Sequence, residues 1–259
     1  DPKNIPDLTY ENFLNFHRTY YHPSNSYIYL YGNMDMEEKL AFLDEHYLSH
    51  FDYLDVDSVI QEQKAFGACR DVTLEYPVAE NEGEEDNTYL SYNMVVGNAA
   101  DSQMAMAFEV LDYALLSAPG APLKQALLDV KAGKDVYGSY DDGILQPYFT
   151  VIAKGSNPDR KEEFVSVIRQ VLGDIVKNGI DKKAVEAGIN YFEFRYREAD
   201  FSSYPKGLMY SLDILGDWLY EKGNPFAQVQ QLTVFENLKK AVLSLGFLHW
   251  KFPLCHMYA

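Results

Sequence analysis

Residues 135–175 read DVYGSYDDGILQPYFTVIAKGSNPDRKEEFVSVIRQVLGDI, and the fold follows from this stretch. Two runs rich in apolar and aromatic residues, 135–140 and 145–154, flank an Asp-Asp-Gly turn, which predicts two antiparallel strands joined as a hairpin. Asn157-Pro158 then predicts a helix start, because an N-cap residue precedes proline at the first helical position. Apolar residues recur at helical spacing beyond it, at Phe164, Ile168, Val171, Leu172 and Ile175.

The sequence on either side of this stretch supplies further strands and helices. Upstream, alternating apolar residues predict strands at 72–78 and 90–96, and helical spacing predicts helices at 101–115 and 123–130. Downstream, two more helices are predicted, at 181–192 and 206–221. This order of elements predicts an α+β fold, an antiparallel sheet with its helices packed on one face.

The first fifty residues predict a separate and incomplete unit. Thr9 and Asp35 are suitable N-caps for helices at 8–22 and 36–50, and the run YIYLY at 27–31 predicts a strand between them. A single short strand cannot bury both of its faces, so its sheet is expected to lie mostly outside this chain. We interpret the unit as a helix–strand–helix remnant of a preceding domain of similar fold.

Loss of periodicity predicts the domain boundaries. We expect an incomplete first domain at 1–50, a linker at 51–69, a complete α+β domain at 70–247 and an anomalous aromatic tail at 248–259. The chain begins Asp1-Pro2 without a methionine, so it is expected to be part of a longer polypeptide.

Composition restricts the partners. The net charge is −17, from 39 acidic and 22 basic residues, which disfavours nucleic acid and anionic membrane surfaces and favours cationic ligands such as basic peptides. An acidity that only keeps the protein soluble is the alternative. Cys69 and Cys255 are too few for a disulfide framework and fit a reducing compartment, a cytoplasm or an organelle matrix.

His46 and His50 are the candidate metal ligands, because residues four apart on a helix share a face. An inverzincin site reads H-x-x-E-H, and its glutamate activates the attacking water. Here the run is HYLSH, so Ser49 stands where the base is needed, and Glu45 belongs to another face. The sequence has no nucleophile elbow, P-loop or dinucleotide fingerprint. We therefore predict no catalytic residue and, beyond this one weak candidate pair, no metal site.

Six segments become recognisable when they are taken together: LTYENF (8–13), YYHPSNS (20–26), IYLYGNMD (28–35), PGAPLKQALL (119–128), QPYFTVIAKG (146–155) and FEFRYREADFSSYPKGL (192–208). As a set they resemble the pitrilysin family of zinc metallopeptidases, and most of all its presequence-protease subgroup. The similarity covers residues 5–240, and the tail after Leu245 departs from the family pattern.

The resemblance implies a parent protein of four homologous α+β domains in two halves that close around a peptide. Zinc would be held in the first domain, by H-x-x-E-H and a downstream glutamate. Residues 1–50 would end that first domain after the motif, and the domain from residue 70 would line the chamber without metal ligands. The resemblance therefore implies no cofactor in this chain and zinc in the missing part of the parent.

Three functions stay open. The preferred one is a non-catalytic segment of a zinc metalloendopeptidase that degrades short peptides; this chain, inactive alone, would form chamber wall and contact the catalytic and C-terminal domains. The second is a stand-alone, non-catalytic interaction subunit of the same superfamily. The third is an independent metal enzyme that uses His46 and His50. The first predicts exposed hydrophobic surface at 27–50, because the sheet partners of that segment are missing.

Overall fold

The structure is a computed structural model that describes residues 2–99, 101–199, 201–220, 224–227 and 229–243. Within it the chain forms two compact units, one ending at Gln61 and the other beginning at Glu62. The assignment of residues 1–50, 51–69 and 70–247 to family domains stays a prediction, and the predicted tail at 248–259 lies outside the described residues.

The first unit consists of two helices connected by extended chain and short 3-10 turns. Helix α1 spans Tyr10–Tyr20 and helix α2 spans Met36–His46. Both predicted N-caps are confirmed: the side chain of Thr9 accepts a backbone amide bond of 3.1 Å, and that of Asp35 accepts one of 3.0 Å. Each cap satisfies an amide that the first helical turn leaves without a partner.

Two predicted elements of the first unit are wrong. The run at 27–31 does not form a strand, because strand pairing needs a neighbouring strand and the described residues of this unit contain none. Helix α2 ends at His46, since the backbone of Tyr47 (φ −137°, ψ −65°) leaves the helical region and Leu48–His50 forms a separate 3-10 turn.

The second unit is built on a three-stranded antiparallel sheet. Strands β1 (Thr88–Val95), β2 (Asp135–Asp141) and β3 (Tyr148–Ser156) lie in the order β1-β3-β2. Leu90 and Val136 both pair with Ala153, so these side chains share one face, and all three are buried. The opposite face carries polar side chains, among them those of Ser91, Asn93 and Ser139.

Helices cover the apolar face of the sheet. The helices of this unit are α3 (Ser102–Asp112, continued by a π-helical turn at Tyr113–Ser117), α4 (Pro122–Asp129), α5 (Lys161–Asn178), α6 (Lys182–Glu198), α7 (Lys206–Trp218) and α8 (Leu232–Leu243). Phe108, Leu127 and Ile168, from α3, α4 and α5, pack in one core with the sheet residues. The predicted α+β class, with helices on one face of an antiparallel sheet, is confirmed.

Helix α3 belongs to two cores. Phe108 and Leu111 face the sheet, whereas Val110 packs with Val185 of α6 and Phe235 of α8. An amphipathic helix normally buries one stripe, and a helix that is apolar on several sides is buried in the middle of a domain. This placement makes α3 the central helix of the second unit.

Some elements of the second unit differ from the prediction. The strand predicted at 72–78 is not formed, and three of its alternating apolar side chains are exposed: Val72 at 69%, Leu74 at 76% and Tyr76 at 51%. The hairpin connection is longer than the Asp-Asp-Gly turn predicts, because β3 begins at Tyr148. Helix α8 was not predicted, although its buried Phe235 and Leu238 stand three residues apart, a helical spacing.

Candidate functional site

The structure does not place His46 and His50 on one helical face. His46 is the last residue of α2, and His50 ends the following 3-10 turn, so the premise that predicted a shared face is wrong. Both side chains are exposed, and the His46 ring packs against Phe42 with centroids 4.6 Å apart. The hydroxyl of Ser49 donates to the carbonyl of Glu45 at 3.3 Å, which is a local backbone contact.

The described residues do not fit a zinc site. A zinc ion in a peptidase needs three protein ligands and an open position. Among the described parts of the chain, no three His, Cys, Asp or Glu side chains lie close enough together to hold a metal ion. No reaction step through a metal is therefore assigned to these residues.

Many apolar and aromatic side chains of the first unit are exposed, and we term those of helices α1 and α2, with Phe13, Phe16, Leu40 and Phe42 among them, the docking face. No side chain described between residues 3 and 61 is buried. On α1, Phe13 is 66% and Phe16 59% exposed, and on α2 Leu40 is 57% exposed. The hydrophobic exposure predicted for residues 27–50 is observed, with Ile28 at 43% and Phe42 at 59%.

Aromatic rings on this docking face contact one another rather than a core. The Phe16 and Tyr20 rings lie 4.9 Å apart, and the His17 and Tyr21 rings stack at 4.6 Å. Large aromatic side chains are typical anchors of protein interfaces, because each buries a large area at low entropic cost. The arrangement suits a protein partner better than a small molecule.

A cluster of carboxyl groups lies where α3 meets the sheet in the second unit. Glu109 and Asp112 belong to α3, Asp142 follows β2 and Asp213 belongs to α7. Burial raises the pKa of Glu109 to about 7, and the nearby carboxylates, that of Asp142 first, add to the effect. Burial likewise raises the pKa of Asp112.

The other two carboxyl groups of the cluster, those of Asp142 and Asp213, also have raised pKa values. Desolvation raises the pKa of Asp142, as well as that of Asp213, whose carboxylate is crowded by the protein although the residue stays exposed. Desolvation and then Asp142 raise the pKa of the Tyr140 phenol. Arg195 of α6 acts in the opposite direction on Glu109. Sequence reasoning missed this cluster, because its members are far apart in the chain and match no motif.

A pocket of about 520 Å³ lies beside the start of β1. Lys134 forms an ion pair of 3.3 Å with Asp86, and Lys154 lies 5.8 Å from the centre of the Tyr89 ring. Hydrogen bonds from Asn157 and then Lys134 lower the pKa of Asp86. Charged side chains therefore line the pocket, and two of them, Asp86 and Lys134, are paired with each other.

Within the described segments, no helix combines the length and the apolar character that a bilayer crossing requires.

Residues 7–192 match the family described as the Peptidase M16 inactive domain.

Curated relatives are much longer than this chain. Protein HypA of Clostridium perfringens is 46% identical over 247 residues, which cover 95% of this chain and 25% of that protein. The chloroplastic/mitochondrial presequence protease 1 of Arabidopsis thaliana is 33% identical over 250 residues, 95% of this chain and 23% of that protein. The chain thus spans about a quarter of the length of these relatives.

Solved structures share the fold at low sequence identity. An M16-like peptidase from Alicyclobacillus acidocaldarius superposes with a TM-score of 0.55 at 18% identity, over 93% of this chain and 55% of that chain. A protease from Helicobacter pylori gives a TM-score of 0.52 at 16% identity, over 90% of this chain and 57% of that one. These likenesses concern the fold alone.

Proposed function

The chain belongs to the M16, or pitrilysin, peptidase family through its inactive domain, and from this premise we propose that it serves as a non-catalytic segment of a longer zinc metalloendopeptidase. The resemblance recognised in the sequence is thereby confirmed, including the likeness to presequence proteases. In this proposal the chain forms part of the chamber wall and contacts the catalytic and C-terminal domains of the parent protein.

One observation carries the proposal. None of the described side chains of the first unit is buried, including those of the docking face. The docking face nevertheless lies within the segment that matches the family, which begins at residue 7. Apolar area left in water costs about 25 cal/mol for each Å² that a partner would cover, so such a face favours association. The partner proposed is the remainder of the parent peptidase, which in the relatives accounts for about three quarters of the length.

Charge supports the proposed substrate class. A net charge of −17 attracts cationic peptides over long distances and repels polyanions, so the peptides degraded by the parent are proposed to be short and basic. Zinc is proposed to reside in the catalytic domain of the parent, outside this chain. A cytoplasm or an organelle matrix is the proposed location.

A stand-alone interaction subunit is the second candidate. The same docking face favours it, because a separate catalytic polypeptide would cover the same side chains. The third candidate, an independent metal enzyme, loses its main support with the helix that was predicted to join His46 and His50.

The first experiment measures zinc content and cleavage of a fluorogenic basic peptide by the purified 259-residue chain. We expect neither bound zinc nor cleavage. Chelator-sensitive cleavage that is lost in a His46→Ala variant would overturn the proposal in favour of the third candidate.

A binding experiment then tests the docking face. The polypeptide encoded upstream of this segment is titrated with the chain in a calorimeter, together with a Phe13→Asp/Phe16→Asp variant and an exposed control, Glu186→Gln. We expect the double variant to bind at least about tenfold more weakly and the control to bind normally. Equal binding by all three would remove the docking face from the proposal. An H-x-x-E-H motif within the upstream polypeptide distinguishes the first candidate from the second.

A further inference from the structure

The pocket beside the start of β1 has two walls that come from different parts of the second unit. Tyr76 and Glu82 belong to the connection before β1, whereas Lys134 immediately precedes β2 and Lys154 lies near the end of β3. The volume of about 520 Å³ lies within the range of small-molecule sites, about 300–1,000 Å³. A folded partner cannot enter such a space, so the ligand that it fits is small or is the end of a flexible chain.

Contacts across the pocket hold the connection before β1 in place. The amide of Asp86 donates to Asn157 Oδ1 at 2.9 Å, and Asn157 Nδ2 donates to Asp86 Oδ1 at 2.7 Å. Lys134 binds the other oxygen of the same carboxylate at 3.3 Å. The connection is thereby attached to the residues that precede β2 and follow β3, so both walls of the pocket are formed before a ligand arrives.

Gly155 allows Lys134 to take this position. The backbone of Gly155 lies in the left-handed region (φ 67°), and a Cβ atom there would lie 3.0 Å from side-chain carbons of Lys134. The Lys134 amide also donates to the Lys154 carbonyl at 2.8 Å. The Lys134 ammonium group and the Asp86 carboxylate therefore neutralise each other within the lining.

Two further charges of the lining, those of Lys154 and Glu82, have no such partner. Asp135 is paired with Lys124 of α4 at 3.3 Å. Neither Lys154 nor Glu82 forms an ion pair with a residue that the structure describes. The Lys154 ammonium group instead lies 5.8 Å from the centre of the Tyr89 ring. The pocket thus presents one free cation on one wall and one free anion on the other.

Two tyrosine rings provide the apolar surface of the pocket. Tyr76 and Tyr89 meet edge to face, with ring centroids 6.0 Å apart, and about half of each residue is exposed. The Tyr76 hydroxyl donates to the carbonyl of Asn87, and the Asn87 side chain donates to the carbonyl of Gly83 at 2.5 Å. Aromatic rings held in this way cover the apolar part of a ligand at little cost in conformational entropy.

We propose that this pocket binds a short zwitterionic peptide. The peptide carboxylate pairs with Lys154, the peptide ammonium group pairs with Glu82, and apolar side chains of the peptide lie on the two tyrosine rings. An anion without a positive group is disfavoured by the acidic run at 80–86, and a cation without a negative group leaves Lys154 unpaired. Binding is a property of this chain alone, so it goes beyond a role as chamber wall and does not depend on a parent peptidase.

The test is a titration of the full 259-residue chain with the tripeptide Ala-Ala-Phe at low salt, followed through the NMR signals of the Tyr89 and Gly155 amides. We expect these signals to shift with a dissociation constant of the order of 1 mM. The C-terminal amide of the tripeptide lacks the carboxylate, and the N-acetyl form lacks the ammonium group. Each blocked form is expected to bind at least about threefold more weakly than the free tripeptide.

Three variants of the chain assign the contacts. Lys154→Met removes the ammonium group and keeps the length of the side chain, so we expect it to weaken tripeptide binding at least about threefold. It should also abolish the difference between the tripeptide and its amide, as Glu82→Gln should abolish the difference between the tripeptide and its N-acetyl form. Lys177→Met, at an exposed position on α5, is the control for the loss of one positive charge and is expected to bind as wild type.

Three results would overturn the proposal. One is the absence of shifts at the Tyr89 and Gly155 amides up to about 10 mM tripeptide. Another is a blocked form that binds as tightly as the free tripeptide, because one end of the peptide would then not be recognised. The third is a Lys154→Met variant that is folded by circular dichroism and binds the tripeptide as wild type does.

Discussion

Helices α1 and α3 are both eleven residues long and both rich in apolar side chains, yet they differ completely in burial. Helix α1 of the first unit buries no residue, whereas α3 of the second buries Ala105, Phe108, Val110 and Leu111. Phe13 on α1 is 66% exposed, and Phe108 on α3 is 6% exposed. A helix can therefore form without being buried. Caps and local residue spacing determine whether a helix forms, whereas its burial requires other secondary-structure elements that pack against it.

The largest difference between the two units is expected in their contribution to unfolding free energy. Phe164, 1% exposed in α5, should cost about 3–5 kcal/mol when replaced by alanine, because a large cavity remains in the core. Phe13→Ala in the first unit should change the unfolding free energy by about 0.5 kcal/mol or less. Urea denaturation followed by far-UV circular dichroism measures both.

A large loss in the Phe13→Ala variant would mean that the first unit has a core of its own in solution. The difference in burial between the first and second units would then not hold in solution. Phe16→Ala, at a neighbouring exposed aromatic position, repeats the measurement with the same expectation.

A smaller effect is expected where α6 meets α8. Glu193 accepts a hydrogen bond of 2.7 Å from Arg197 and another from Lys239 of α8. Both hydrogen bonds lower the pKa of Glu193, and the one from Lys239 has the larger effect. Glu193→Gln should cost about 1–2 kcal/mol near neutral pH. The native contact stabilises fully above the ordinary glutamate value of 4.5 and is lost as the pH falls below it.

The measurement is therefore a pair of denaturation curves, one near neutral pH and one in acid. The cost of Glu193→Gln should shrink in acid, whereas a cost that is the same at both values would show that charge is not the cause. The first unit contains a contrasting ion pair, in which Lys39 and Glu38 lie 2.8 Å apart and both side chains are exposed. Glu38→Gln should therefore have no measurable effect on the free energy of unfolding.

The smallest difference concerns the helix caps. Asp101 caps α3 through a 2.9 Å bond to the Met104 amide, and Asp35 caps α2 through a 3.0 Å bond to the Glu38 amide. Asp101→Ala should lower the unfolding free energy by about 1 kcal/mol. Asp35→Ala should reduce helical signal and leave the main transition in place, because α2 buries nothing. Equal shifts in the main transition would indicate that the two units unfold together.

Local signals predicted the helices of the first unit and those of the second apart from α8. Thr9 and Asp35 cap helices as the sequence predicts, because a cap depends on residues only two or three positions apart. The predicted N-cap Asn157 makes no cap hydrogen bond, and α5 begins at Lys161, after a 3-10 turn at Pro158–Arg160.

The two strands that failed, at 27–31 and 72–78, have the right composition. A strand also needs a neighbouring strand to pair with, and its own sequence does not show whether one is present. Composition and alternation therefore predicted two strands that do not form.

The candidate sites show the same limit. The absence of a glutamate at Ser49 is visible in the sequence, whereas the end of α2 at His46 depends on one backbone angle at Tyr47. The carboxyl cluster joins residues of α3, α7 and the β2–β3 connection, so only the tertiary fold brings it together. Burial, the main cause of the raised pKa values, has no local signature at all.

The order β1-β3-β2 has a consequence for synthesis on the ribosome. Strand β1 is made first, but its neighbour β3 appears only after α3, α4 and β2 have been translated. At roughly 5–20 residues per second, the nascent chain carries an unpaired β1 for several seconds. During that interval the hydrogen-bonding edge and the apolar side chains of β1 are open to pairing with other nascent chains.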